Sequence, residues 1–243
     1  MFHRLLALAP IALLSLSLSA AAEEQALFNG KDLTGWKGNL AVWSVRDGVI
    51  RGESQLDPAR APKSKLHENT FLVWTGGTPK DFELRLKARF LSVWGNSGIQ
   101  FRSAVVREGK DGPIVKGYQA EFETEGLYSG GLYEERRSGI LAKRGERVVI
   151  RPHPDHLITP QLEVTGSVGN PDEIQSLIRP HEWNDYVIIA KGDNIRLFIN
   201  GKQTAEVTDK RPKAPLEGII ALQVHHQEPM TVEFKDIYLT EEP

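Results

Sequence analysis

The sequence predicts an all-β protein, a sandwich or barrel of short antiparallel strands. Three observations predict it. Apolar and polar residues alternate along most of the chain, while the helical spacing of about 3.6 residues is nearly absent. Turn signals separate the alternating runs, at Asp47-Gly48, Gly76-Gly77, Gly192-Asp193-Asn194 and Asn200-Gly201. The chain has 243 residues, 40% of them hydrophobic, which suffices for one core at a length where all-β folds form one domain.

Taken in order, the chain opens on "MFHRLLALAPIALLSLSLSAAAEEQ", which reads as an export signal. Arg4 supplies the positive start, residues 5–18 the apolar stretch, and Ala20, Ala21 and Ala22 a small-residue cleavage site. Pro10, Ser15 and Ser17 interrupt the run, and it is short for a bilayer span of roughly 20 residues. The expectation is a signal peptide over 1–22, no stable membrane span, and a mature single domain over 23–243 that is periplasmic or secreted. There is no cysteine, so neither a lipid attachment site nor a disulfide is available, and the fold rests on its core.

The strand candidates follow. "AVWSVRD" (41–47) and "GVIRGE" (48–53) meet at Asp47-Gly48, and "TFLVWT" (70–75) comes next. "DFELRLKARF" (81–90) puts Phe82, Leu84, Leu86, Ala88 and Phe90 on one face and Glu83, Arg85, Lys87 and Arg89 on the other, the pattern of a half-buried antiparallel strand. "SGIQFRS" (97–103), "GYQAEFE" (117–123) and "RVVIRP" (147–152) are shorter. Residues 152–180 read as an irregular excursion over the sandwich, with one short helix at 171–178. "DYVIIAKG", "NIRLFING" and "KQTAEVT" (185–208) read as two consecutive hairpins, and "GIIALQVHH" (218–226) and "TVEFKDIYLT" (231–240) complete the set.

Three of these strands carry an unusual polar face. Gln100 and Arg102 oppose Ile99 and Phe101; Gln119, Glu121 and Glu123 oppose Tyr118, Ala120 and Phe122; Gln223 and His225 oppose Leu222 and Val224. An ordinary solvated face uses Lys, Arg and Glu freely, whereas Gln beside Arg, Glu or His suits directed hydrogen bonds. Pooled on one sheet, these side chains would suit a sugar, whose hydroxyls both donate and accept. Three unrelated solvated faces remain the alternative, because alternation does not show which strands are neighbours. The net charge of −2 and the lack of a Lys/Arg block argue against a nucleic-acid partner.

The ordered motifs "LFNGKDLTGWKG", "WSVRDGVIRGE", "DFELRLKARF", "GNSGIQFRS", "GYQAEFE", "GGLYEERRSGIL", "EWNDYVIIAKGDNIRLFINGK" and "GIIALQVHH" resemble the 3-keto-disaccharide hydrolase family, over about residues 27–239. The resemblance implies a concanavalin A-like, jelly-roll sandwich of antiparallel sheets. It implies cleavage of glycosides already oxidised to a ketone at C3, with a sugar 3-oxidoreductase as functional partner. A C3 ketone acidifies the C2 proton, so one base starts a β-elimination of the C1 group, and water then adds back. Such a site needs a base, a group for the enolate oxygen and an acid at the leaving oxygen.

In that scheme Glu121 is the base, Arg102 the enolate partner, and His225 a base, acid or metal ligand. An Arg102–Glu121 ion pair is the structural alternative. Gln119, Gln223 and Gln100 are assigned to binding. The Gly-rich turn holding Asn96 forms the rim. Tyr133 would stack on a sugar, with Glu134 as acid and Arg136 beside it, unless "GGLYEERR" is a solvated loop. Trp94 is a second stacking candidate. "HPDH" offers His153, Asp155 and His156 as ligand types, but a Pro-rich loop lacks the fixed geometry of a metal site. The sequence carries no strong metal motif, and a divalent cation holding the ketone stays open. Two rivals stand beside this reading: a sandwich that binds glycan without cleaving it, and a conventional glycosidase using a pair such as Glu121 and Glu134.

Overall fold

The structure is a computed structural model that describes residues 23–154 and 159–241. The expected signal peptide, and Asp155 and His156 of "HPDH", lie outside the described residues. In chain order the elements are β1 (Glu24–Ala26), β2 (Trp36–Lys37), β3 (Trp43–Arg46), β4 (Val49–Ser54), β5 (Thr70–Trp74) and β6 (Phe82–Phe90). Next come β7 (Asn96–Gly109), β8 (Gly112–Glu123), β9 (Leu132–Glu135), β10 (Gly139–Ala142), β11 (Glu146–Arg151), β12 (Gln161–Ser167) and the helix α1 (Pro171–Leu177). The chain ends with β13 (Asn184–Lys191), β14 (Asn194–Ile199), β15 (Lys202–Asp209), β16 (Ile219–Val224) and β17 (Met230–Glu241).

These strands form two sheets. One runs β12-β11-β15-β14-β13-β6-β17-β4-β3, with β1 paired to β17; the other runs β10-β9-β8-β7-β16-β5-β2. The pairings are antiparallel except β11 with β15, which is parallel. The core between the sheets takes Leu84, Leu86 and Phe90 from one sheet and Ile99, Phe101, Phe122 and Leu222 from the other. Phe90 on β6 stacks on Phe122 on β8 at 4.5 Å, joining the sheets. This is the β-sandwich that the alternation predicts.

Local chemistry explains the turns. Asn200 and Gly201 both take positive φ, 50° and 78°, and close the β14–β15 hairpin; Asp47 and Gly48 do the same between β3 and β4. The short helix forms because Asn170 caps it, accepting from the backbone N–H groups of Asp172 and Glu173, with Pro171 in the first turn. Among the described residues no helix is long and apolar enough to cross a membrane.

Two expectations need correction. Part of the excursion, Gln161–Ser167, is a strand paired with β11. Its apolar Leu162 and Val164 are exposed, because β12 is the last strand of its sheet. The "GGLYEERR" segment is likewise no plain loop, since Leu132–Glu135 adds a strand to β8.

Candidate active site

The site lies on the outer face of the seven-stranded sheet. On β8, Tyr118, Ala120 and Phe122 point into the core, so Gln119 and Glu121 point outward. Register brings other strands to them. Tyr133 on β9 lies opposite Gln119, and Glu135 opposite Gly117. On the other flank, Gly98 of β7 lies opposite Glu121. A Cβ at Gly98 would come within 2.4 Å of Gln119 Cγ, so the glycine gives the Gln119 side chain its room. Beyond β7, β16 contributes Gln223, whose main-chain carbonyl accepts from Ser97 Oγ at 2.6 Å.

Together Gln119, Glu121, Tyr133, Glu135, Gln223 and His225 line a cavity of about 290 Å³. Asn69, Asn96, Tyr128 and Ile140 complete its wall. This volume is near the lower end for small-molecule sites. The hydrogen bonds inside it are directed. Gln119 Nε2 donates to Glu121 Oε1 at 2.8 Å, and Gln100 Nε2 donates to Gln119 Oε1 at 2.7 Å. Gln223 Nε2 donates to Glu135 Oε2 at 3.4 Å, while Gln223 Oε1 is buried with no partner. Asn69 Oδ1 lies 2.9 Å from His226 Nδ1, and the His226 ring packs against His225 at 4.9 Å.

Burial controls the charges here. It pushes Glu121 up to about 8; the Gln119 hydrogen bond opposes that, and the charges of Glu135 and Glu123 add to it. Burial also raises Glu135, against the pull of Arg136, Asn69 and Gln223. The Tyr133 phenol is raised by burial and by both carboxyls. His225 is pushed down to about 4 by burial and by neighbouring His226, so its imidazole is neutral near pH 7. The site therefore holds two carboxyls with raised proton affinity, a neutral imidazole, a phenol and several amides. It can abstract a proton, donate hydrogen bonds to a developing oxyanion and protonate a leaving oxygen.

Of the residues expected from sequence, Glu121, Gln119, Gln223, His225, Asn96 and Tyr133 meet in this cavity. Gln100 is fully buried behind Gln119. Four others lie elsewhere. Arg102 takes φ 44° at a bulge in β7, and its guanidinium donates to Lys80 O, Gly192 O and Asp81 Oδ1. It neither reaches the cavity nor pairs with Glu121. Glu134 points to the opposite side of β9 from Tyr133 and accepts from Arg211 at 2.9 and 3.0 Å. Arg136 reaches Glu68 at 3.4 Å. Trp94 is 55% exposed and does not line the cavity.

Sequence reasoning missed Glu135, although a signal for it existed. In "LYEE" the strand period places Glu135, not Glu134, on the face of Tyr133. Asn69 and Tyr128 come from loops and carried no such signal. Among the described residues no group of three or more His, Cys, Asp or Glu side chains converges to hold a metal. No step is routed through a cation.

Residues 23–240 match the model of a family described as the 3-keto-alpha-glucoside-1,2-lyase-like domain. Solved structures share the fold at low identity. One from Parabacteroides distasonis ATCC 8503, provisionally named as a glycosyl hydrolase, is 18% identical, with a TM-score of 0.54 over 90% of this chain and 94% of that one. A Bacillus subtilis protein of unknown function with a galectin-like fold is 11% identical, with a TM-score of 0.56 over 91% and 96%. The carbohydrate-binding module CBM66 from Bacillus subtilis is 13% identical, with a TM-score of 0.50 over 85% and 96%. No curated protein matches the chain. The family match covers all but the last described residue, and the chain belongs to the 3-keto-alpha-glucoside-1,2-lyase-like family.

Proposed function

We propose that this protein cleaves 3-keto-glycosides by elimination and hydration. The observation that carries the reading is Glu121, a buried carboxyl with proton affinity raised to about 8, facing a polar cavity of small-molecule size. A ketone makes the C2–H acidic, yet its removal still calls for a base stronger than an ordinary carboxylate. Raising the carboxylate's proton affinity increases the driving force for that transfer. Glu121 takes the C2 proton, and the electron pair forms the enolate over C2, C3 and O3. Tyr133, Asn96 and neutral His225 are the donors available to O3. The C1–O bond then breaks, and protonated Glu135 supplies the proton to the departing oxygen. Water then adds its oxygen to C1 while Glu135 takes back a proton from it and Glu121 returns its proton to C2, giving the free 3-keto sugar and restoring both carboxyls.

The ketone has to be supplied by an enzyme that oxidises C3 of a sugar. The chain is read as exported, on the pattern of residues 1–22; recovery outside the cytoplasm of protein beginning at Glu23 is the expected result, and a retained leader the contrary one.

Two carboxyls in one cavity also favour a second reading, a conventional glycosidase with Glu121 and Glu135 as its pair. A matched pair of assays separates the two. Mature protein is given a 3-keto disaccharide and its unoxidised parent, each with and without chelator. Cleavage of the keto form alone, unaffected by chelator, is expected. Cleavage of the parent makes the protein a conventional glycosidase, and loss of activity with chelator brings a metal into the site. Binding with no cleavage of either leaves a carbohydrate-binding sandwich.

A further inference from the structure

A buried row of side chains runs from the sheet interior to Glu121. Ser103 Oγ lies 2.8 Å from Gln100 Oε1 and donates to it. Gln100 Nε2 donates to Gln119 Oε1 at 2.7 Å, and Gln119 Nε2 donates to Glu121 Oε1 at 2.8 Å. Ser103, Gln100 and Gln119 are all buried, and the row meets the cavity only at its Gln119–Glu121 end. We propose that Ser103 and Gln100 are positioning residues that act on Glu121 through Gln119, as a relay whose polarity is set by whether Glu121 holds its proton. The proposal rests on the reading of Glu121 as the base.

The chemistry of the links makes the relay reversible. In the polarity described, every donor points toward Glu121 and the last N–H meets an ionised carboxylate, which that bond stabilises. When Glu121 is protonated, its O–H can donate to Gln119 Oε1. Gln119 and Gln100 then turn their amides over, each donating one step back, and Ser103 Oγ accepts from Gln100. The Ser103 hydroxyl needs a new acceptor, and two are already within reach: Phe101 O at 2.9 Å and Tyr118 O at 3.3 Å. Each link is satisfied in both states, and the change costs only amide and hydroxyl rotations. The proton moves only between Glu121 and the substrate. A break anywhere leaves a buried amide short of a partner in the state that favours the carboxylate.

Other groups face Glu121 without belonging to the relay. Glu123 shares its strand; Glu135 and Tyr133 face it from β9, and His225 from beyond β16. Tyr186 on β13 donates to its main-chain oxygen at 3.4 Å, and Lys143 and Arg144 share with it a small cavity beyond β10. These groups are common to every variant, so the relay's contribution is read as the difference that a single substitution makes.

The test reads Glu121 directly, in ligand-free protein, by infrared difference titration of its carboxyl band, with Glu121→Gln identifying the band. Ser103→Ala, which deletes one oxygen, is expected to raise the midpoint by about half a unit to one unit, up to a tenfold fall in the ionised fraction. Gln100→Leu is expected to do at least as much. The double variant should match Gln100→Leu alone, because a chain already broken has nothing further to lose. The rising limb of kcat/KM against pH should move with the midpoint. An unmoved midpoint in Ser103→Ala, or additive shifts in the double variant, overturns the relay; should Gln100→Leu not fold, Ser103→Ala decides alone. A moved midpoint in a protein that cleaves no 3-keto-glycoside would instead remove the functional reading and leave the relay standing.

Discussion

Glu121 is a costly residue for the fold to keep. Its proton affinity is raised on folding, so the native state binds the proton more tightly than the unfolded chain does. The sign follows directly. Below the ordinary carboxyl range both states are protonated and nothing is lost. As pH rises toward about 8 the unfolded chain ionises first, and the native state loses stability relative to it. A gap of this size corresponds to several kcal/mol. Glu121→Gln keeps the shape and the acceptor for Gln119 but removes the ionisation. We expect it to abolish turnover and to melt higher than the wild type, with the difference small at pH 5 and growing to pH 9. Melting curves at three pH values check this. A difference independent of pH would mean that Glu121 ionises as freely in the fold as out of it, and a residue that does so is not poised as a base. Such a trade of stability for function is common in sites built on strained or buried charge.

The strands whose alternation runs unbroken were legible in the sequence. β6 shows five apolar residues on one face, and the Asn200-Gly201 turn fixes the β14–β15 register. The same rule failed where the period was reset. Gln100 and Arg102 are two apart and read as a pair on one face. The bulge between Phe101 and Ala104 inserts one extra residue, and with φ 44° Arg102 leaves the alternation. Its guanidinium instead ties the approach to β6 to the β13–β14 turn, where Asp81 Oδ1 also accepts from the Gly192 N–H at 2.8 Å. The cation expected in the site is thus a clamp between loops of the other sheet. A signal for the bulge existed: in "IQFRSAV" the alternation stops at Arg102-Ser103, two polar residues in succession, and the register shifts there. β9 failed for a different reason. Without a strand at "GGLYEERR" no period applies, and Glu134 stands out in place of its neighbour Glu135. The polar face itself was legible; the two carboxyls that complete it required knowing that β9 pairs with β8.

At the scale of the molecule, the two sheets are joined by more than apolar packing. Near one end of the sandwich, Arg211, just beyond β15, reaches across to Glu134 on β9 with two bonds, at 2.9 and 3.0 Å. It also donates to Asp209 at 2.9 Å, and Tyr118 of β8 donates to the same carboxylate. Burial, with Asp209 beside it, holds the Tyr118 phenol protonated far above its usual range. One cation thus serves two buried carboxylates from opposite sheets, and β9, which carries Tyr133 and Glu135 on its other face, is anchored through Glu134. Removing the cation is far worse than never having had the cluster, because two desolvated negative charges are left facing each other. Arg211→Met is therefore expected to cost about 3–5 kcal/mol, measured by denaturant unfolding at pH 7. Glu134→Gln, which leaves Arg211 its Asp209 partner, should cost less. A loss below about 1 kcal/mol for Arg211→Met, the range of an exposed pair, would mean that water reaches the cluster and that Arg211 does not hold the sheets together.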